Sequence, residues 1–286
     1  VAVYKRGYER YQGPTTGHLA RLLALPRYSW RRQLRQPIMI VTLALAFVWP
    51  LLCAAFIYVA NHSSLWAGLA PKLATILTVN SKFFLIFMDT QAVFCVILAA
   101  LAGPGLIAPD LANNALPLYF SRPLTRLDYV GARLATLMGI LALVTWVPGL
   151  LLFAMQVGMG GTAWFKSYWT LGGGLFLGFL LWSAIVSLVA LASSAYVKWR
   201  LVAGGLILGF FFVTSGVGAM VNSIFRVEWG SLANPSKMAY TVWCALLGAE
   251  APSGPDLYEA IMALAALVAL LGVVLERKLR PVEVVR

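Results

Sequence analysis

Six stretches of this chain run for about twenty predominantly apolar residues each, near Pro37 to Ala60, Phe83 to Ala108, Tyr129 to Val157, Thr170 to Val197, Leu201 to Val221 and Leu257 to Leu275. A helix of that length rises about 30 Å, enough to cross the hydrocarbon core of a bilayer. Over the 286 residues, 61% are hydrophobic and 11% charged, far from the roughly 25% charged of a soluble domain. The expected fold is an all-α polytopic membrane protein with six spans. A weaker apolar piece, MAYTVWCALLGA at 238 to 249, is too short to span easily and reads as an interfacial or re-entrant helix, with a seventh crossing as the alternative. No short apolar stretch with a small-residue cleavage site occurs in the first 36 residues, so the first span is expected to remain as an anchor.

The charges orient the bundle. Of the 22 Lys and Arg residues, eight precede the first span, three lie in 122 to 133, two at 198 to 200 and four after Leu275, against five in the alternate connections. The positive-inside rule then puts both termini and the 109 to 128 insert in the cytoplasm, in what is expected to be a bacterial inner membrane. The ten carboxylates divide evenly by the same map, so the net charge of +12 lies on one face. That excess suits anionic inner-leaflet lipid and does not indicate nucleic-acid binding.

Before the first span, Leu19, Leu22, Leu23, Pro26, Trp30 and Leu34 recur at roughly helical spacing, while Arg21, Arg27, Arg31, Arg32 and Arg35 take other positions. The pattern predicts an amphipathic elbow helix on the membrane surface, broken at Pro26, with Leu23, Trp30, Arg31, Arg32 and Arg35 as its working residues. Residues 1–36 therefore form an arm and elbow, 37–275 the membrane domain and 276–286 a basic tail. Gly174 with Gly178, and Gly205 with Gly209, are expected to let helices approach closely. The connection 222–256 is expected to cap the outer side, with Asp256 and Glu259 of PDLYE at the start of the last span.

Much chemistry is excluded. His18 and His62 are the only histidines and neither lies at membrane depth, which leaves no bis-histidine haem, His-Glu-x-x-His zinc site or serine-histidine protease. Cys53, Cys95 and Cys244 sit in apolar segments without metal-ligand spacing and read as packing residues. GGTAWFKS at 160 to 167 places Phe165 where a phosphate loop needs glycine, and FFLIFMD at 83 to 89 opens a span where a nucleotide-binding strand would be required. No catalytic residue, metal site or cofactor is expected in this chain. Asp89 is the one carboxylate well inside a predicted span, a possible intramembrane polar site. Trp146, Trp164, Trp169 and Trp182 are read as interface tryptophans, with a cargo-lining role as the alternative.

The second and third spans are joined by PDLANNALPLYFSRPLTR. Asp110 is expected to cap a short helix containing Leu111, Ala112 and Leu116, with Pro117 and Pro123 ending the pieces that follow and Ser121 and Arg122 offering donors. A short apolar helix at the cytoplasmic surface calls for a partner protein. The glycine-bearing span end, then IAPD, N-x-L-x-L-Y, SRPLTR and the Tyr-Gly restart resemble the first cytoplasmic loop of permease subunits of type-2 ATP-binding-cassette exporters, although Asn114 and Ala115 stand where that family's loop carries glycine and threonine. The resemblance implies a coupling helix within 108–127, with Asp110, Leu111, Ala112, Asn113, Asn114, Leu116, Ser121, Arg122, Pro123 and Arg126 as the docking loop. It further implies a separate nucleotide-binding ATPase subunit carrying ATP and magnesium, and a second permease copy or homologue. An ion-coupled carrier using Asp89 and a non-transporting scaffold docking a cytoplasmic partner are the alternatives.

Overall fold

The computed structural model describes residues 17–62, 78–113, 115, 125–197 and 199–278, every element of them helical. In chain order these are α1 (His18–Gln33), α2 (Pro37–Asn61), α3 (Ser81–Ala102), a 3-10 turn (Gly103–Gly105) and α4 (Ala108–Ala112). There follow α5 (Arg126–Ala142), α6 (Trp146–Tyr168), α7 (Thr170–Tyr196), α8 (Arg200–Phe225), a 3-10 turn (Trp229–Ala233), α9 (Pro235–Leu247) and α10 (Leu257–Lys278). Six segments are long and apolar enough to cross a membrane: α2, α3 with α4, α5 with α6, α7, α8 and α10.

α7 is the hub. It packs against α3, α5, α6, α8, α9 and α10, and 67% of its apolar window is buried, against 22% for α2 and α8 and 17% for α10. Small residues permit this crowding. A Cβ on Gly174 would lie 2.7 Å from the Leu246 carbonyl oxygen, and one on Gly178 would lie 2.8 Å from Trp243 Cδ1. The Trp243 indole N–H donates to the Gly178 carbonyl at 3.0 Å, and the Trp182 N–H to the Ala92 carbonyl at 3.3 Å. The two rings meet edge to face, 5.8 Å apart. Trp182 is only 2% exposed, so it lies neither at an interface nor on a cargo path: its large apolar body is core, and its one polar atom has a partner. Gly205 and Gly209 do not pack as expected, because both face open space; on α8 the close approaches fall to Gly204 and Gly218.

The third span differs from a single helix. α5 and α6 meet at a turn over 143–145, and α6 continues past Val157 to Tyr168, with Gly161 at φ 72° inside it. Thr145 holds the break: its hydroxyl donates to the Leu141 carbonyl at 2.8 Å, and its amide reaches the same oxygen at 3.1 Å. Pro148, in the first turn of α6, has no amide to satisfy there.

Residues 226–247 form a hairpin that re-enters the bundle alongside α8. After α8 ends at Phe225 the chain turns back along it. Asn222 Nδ2 donates to Ser231 Oγ at 2.8 Å, and Asn234 Nδ2 to Ser215 Oγ at 3.2 Å. Ser215 lies about 15 Å below Phe225 along the helix axis. There Asn234 caps α9 by accepting from the amides of Ser236 and Lys237, and α9 climbs back until Gly248, at φ 65°, ends it. Packing of Met238 and Val242 in one apolar cluster with Ile185, deep in α7, fixes the depth of this tip. The last span begins as expected, with Glu259 accepting from the Asp256 amide at 3.2 Å.

Gly174→Ala should destabilise the fold by about 1–3 kcal/mol, because a backbone carbonyl cannot move aside. Gly173→Ala, on the open side of the same helix, should change stability by less than about 1 kcal/mol. Thermal unfolding of both variants in detergent checks the contrast.

Candidate functional site

The elbow sits at the end of the bundle where α3 finishes and α5 begins. α1 runs unbroken through Pro26, contrary to the expected interruption: the amide that proline lacks costs one bond, while packing on α5 holds both halves in line. Pro26, Trp30 and Leu34 are half-buried on its inner side, with polar residues between them. The most buried described residues of α1 are Ser29 and Gln33, whereas Arg27, Tyr28, Arg31, Arg32 and Arg35 (just beyond its end) are exposed. Trp30 wedges between, its N–H donating to the Thr136 carbonyl at 2.8 Å. Its ring occupies the space that a Cβ on Gly139 would need.

Around these residues lies a buried polar junction. Arg133 of α5 pairs with Asp110 of α4, with side chains 7% and 16% exposed, and its other nitrogen donates to Ser29 Oγ at 2.8 Å. The Tyr129 hydroxyl donates to the same Asp110 oxygen at 2.7 Å, and the guanidinium stands 5.2 Å from the Tyr129 ring centre. One carboxylate thus ties the loop helix to the third span, and through Arg133 to the elbow. In so dry a place the paired charges hold each other firmly, and removing either leaves the other unpaired.

Beside it the chain leaves α3. Gln33 Nε2 donates to the Ala102 carbonyl at 2.9 Å, and Arg200 reaches Gln36 Oε1 at 2.6 Å and the Leu101 carbonyl at 3.4 Å. Ser194 Oγ of α7 accepts from the amides of Ile107 and Ala108, at 3.3 and 3.0 Å. Ser194 does the capping expected of Asp110. The N-cap position of α4 is Ile107, and Asp110 lies inside the first turn, free to turn its carboxylate toward Arg133.

The expected docking residues divide accordingly. Asp110 faces the junction and Leu111 packs on the apolar core, while Ala112 and Asn113 are exposed. Asn114, Leu116, Ser121, Arg122 and Pro123, with the side chains of Leu23 and Arg126, lie outside the described residues. Asp89 is not part of this cluster; it stands exposed in the other half of α3. Sequence reasoning missed Ser29, Gln33, Arg133 and Ser194. The available signals were two polar residues four apart on the elbow and an arginine opening an apolar run, neither of which names its partner.

Among the described residues, no group of His, Cys, Asp and Glu is arranged to hold a metal ion. What the junction can do is mechanical: it makes the elbow, the loop helix and the third span one body. No protein-family model matches the chain, and a search of curated proteins finds no match.

Asp110→Ala and Arg133→Ala should each destabilise the protein by about 3 kcal/mol or more. The double variant should lose clearly less than the sum, because no charge is then left alone. Unfolding of the four proteins in one detergent measures this coupling.

Proposed function

We propose that this chain is the permease subunit of an ATP-driven exporter of the type-2 ATP-binding-cassette kind, working with a second permease and two ATPase subunits that carry ATP and magnesium. The observation that carries this reading is the Asp110 junction, which joins the short helix between the second and third spans to the elbow and to the third span. A helix tied in this way transmits a push where a slack connector would absorb it. Six spans, the elbow and the re-entrant hairpin before the last span support the same reading.

In this mechanism the junction faces the cytoplasm, where the basic residues of the chain gather. An ATPase docks on the exposed surface around Ala112 and Asn113, and its closure on ATP displaces α4. Through Asp110 and Arg133 the displacement passes to α5 and α1, and access changes from one membrane face to the other. Bond chemistry stays on the partner; this chain supplies the path and the lever. The carrier reading keeps one structural support, the interruption of the third span at 143–145, since broken helices are frequent in carriers. Transport by vesicles free of any ATPase would favour it.

Purification from native membrane should bring down an ATPase with vanadate-sensitive hydrolysis. Ala112→Arg and Asn113→Arg should abolish that association while leaving the unfolding midpoint unchanged, because both positions are exposed. Full retention of the ATPase by the double variant would refute docking at α4.

A further inference from the structure

The glycine pair of GGTAWFKS bends α6 beside a cavity at the end of the bundle opposite the Asp110 junction, where α2 finishes at Asn61. Gly161, at φ 72° and ψ −173°, takes a conformation that residues with side chains rarely adopt. Beyond it Trp164 and Tyr168 stand about one turn apart, their ring centres separated by 5.1 Å and their planes inclined by 33°. The Trp164 indole N–H donates to the Val79 carbonyl at 3.0 Å, and Phe153 packs on the same ring at 5.8 Å. Both Trp164 and Tyr168 are half-buried, so each keeps part of its surface open.

The cavity has a volume of about 420 Å³, and the two rings line it together with Asn61, Thr78, Asn80 and Gln156. None of its described lining residues carries a charge. Gln156 is only 3% exposed. Its Oε1 accepts from Asn61 Nδ2 at 2.8 Å, and that nitrogen also donates to the Ile57 carbonyl at 2.8 Å. Gln156 Nε2, by contrast, donates to no described residue. A Cβ on Gly160 would lie 2.9 Å from this nitrogen and 3.1 Å from Trp164 Cβ, so the glycine leaves room for the amide beside the indole. Asn61 Oδ1 and the Tyr168 hydroxyl also have no described partner. Donors and an acceptor left idle around one cavity, on a side chain as buried as Gln156, point to an occupant that satisfies them.

The lining selects the chemistry of that occupant. An ion finds no counter-charge on it, and a purely apolar molecule leaves the amides unpaired. A peptide backbone both donates and accepts, but it is recognised along a sheet edge or by side-chain pockets at regular spacing, and these walls come from two helices and the approach to a third. A pyranose ring meets the requirements together. Each hydroxyl donates and accepts, as the free amide groups of Gln156 and Asn61 demand, and the positively polarised C–H face of the ring suits the negative face of Trp164 or Tyr168. The volume falls within the range of about 300–1,000 Å³ usual for small-molecule sites.

We infer that this cavity binds a neutral pyranose sugar, with Gln156 and Asn61 bonding its hydroxyls and Trp164 and Tyr168 forming its platform. The inference is independent of the permease reading, since nothing in it requires an ATPase.

The test is saturation-transfer NMR on the full chain, purified with whatever subunits accompany it and held in lipid nanodiscs free of glycoside detergent. The probes are the methyl glycosides of glucose, galactose and mannose, then maltose, with methyl glucuronide as the charged analogue. Saturable transfer to at least one neutral probe is expected, strongest at its ring C–H protons. Its Kd should rise about tenfold in Gln156→Met and in Tyr168→Leu and stay unchanged in Phe165→Ala, which lies in the same segment without lining the cavity. Tyr168→Leu leaves the bond between Asn61 and Gln156 in place, so it reads the site even where Gln156→Met lowers stability. No saturable transfer to any neutral probe, equal affinity in Tyr168→Leu and the parent, or tighter binding of the glucuronide than of the neutral glucoside would overturn the inference.

Discussion

A backbone amide or carbonyl left unpaired in hydrocarbon costs several kcal/mol, and three irregularities among the described residues are built around that cost. Where α3 unwinds into Gly103–Gly105 and α4, the loosened groups find side chains from distant helices. The Ala102 carbonyl takes the Gln33 amide, the Leu101 carbonyl takes Arg200, and the Ile107 and Ala108 amides share Ser194. At the break in the third span Thr145 bonds back to Leu141. At the tip of the re-entrant hairpin Asn234 receives two amides and binds Ser215 of α8. At these three places the departure from helix is fixed by a few polar side chains, which makes those residues positional.

That same constraint explains which parts of the molecule the sequence discloses. The six spans are legible because an apolar run about 30 Å long has one reading in a bilayer, and the elbow because arginines alternate with Leu and Trp before Pro37. Asp256 and Glu259 form a local pattern, three residues apart, and were legible for that reason. The junction is different in kind. Ser29 meets Arg133, Gln33 meets Ala102, and Ser194 meets Ala108, pairs separated by 104, 69 and 86 residues. No periodicity encodes a partner at that distance, so a loop aspartate read locally looks like a helix cap. The third span misled for another reason: 129–157 is predominantly apolar throughout, and Thr145 is the single polar residue of the turn at 143–145.

Exposure is distributed unevenly around the hub. α7 is covered on most sides, whereas α2 and α8 show long apolar residues such as Leu45, Leu51, Leu206 and Phe212 to the outside. On those flanking helices lipid is a sufficient neighbour. On α3 between them it is not, because the exposed stripe carries Asp89. The wall that α2, α3 and α8 form together therefore combines lipid-compatible edges with a centre that needs polar company.

Under the permease reading, the bonds also rank the parts by how they would move. α4 is held to α5 and α1 by a paired charge, a tyrosine hydroxyl and the Ser29 bond. To α7 it is held by the amides on Ser194, neutral bonds worth about 1 kcal/mol each. α5 meets α7 otherwise through buried apolar side chains such as Leu137, Ile140 and Leu141, and apolar contact has no preferred direction and permits sliding. A push on α4 would therefore carry α1, α4 and α5 together across the face of α7. The turn at 143–145 separates α5 from α6, so the outer half of the third span, bonded through Gln156 to Asn61 of α2 at 2.8 Å, need not follow. Where the chain breaks its helix, the two halves of one span are anchored to different bodies, and that is where a transmitted displacement would turn into a change of shape.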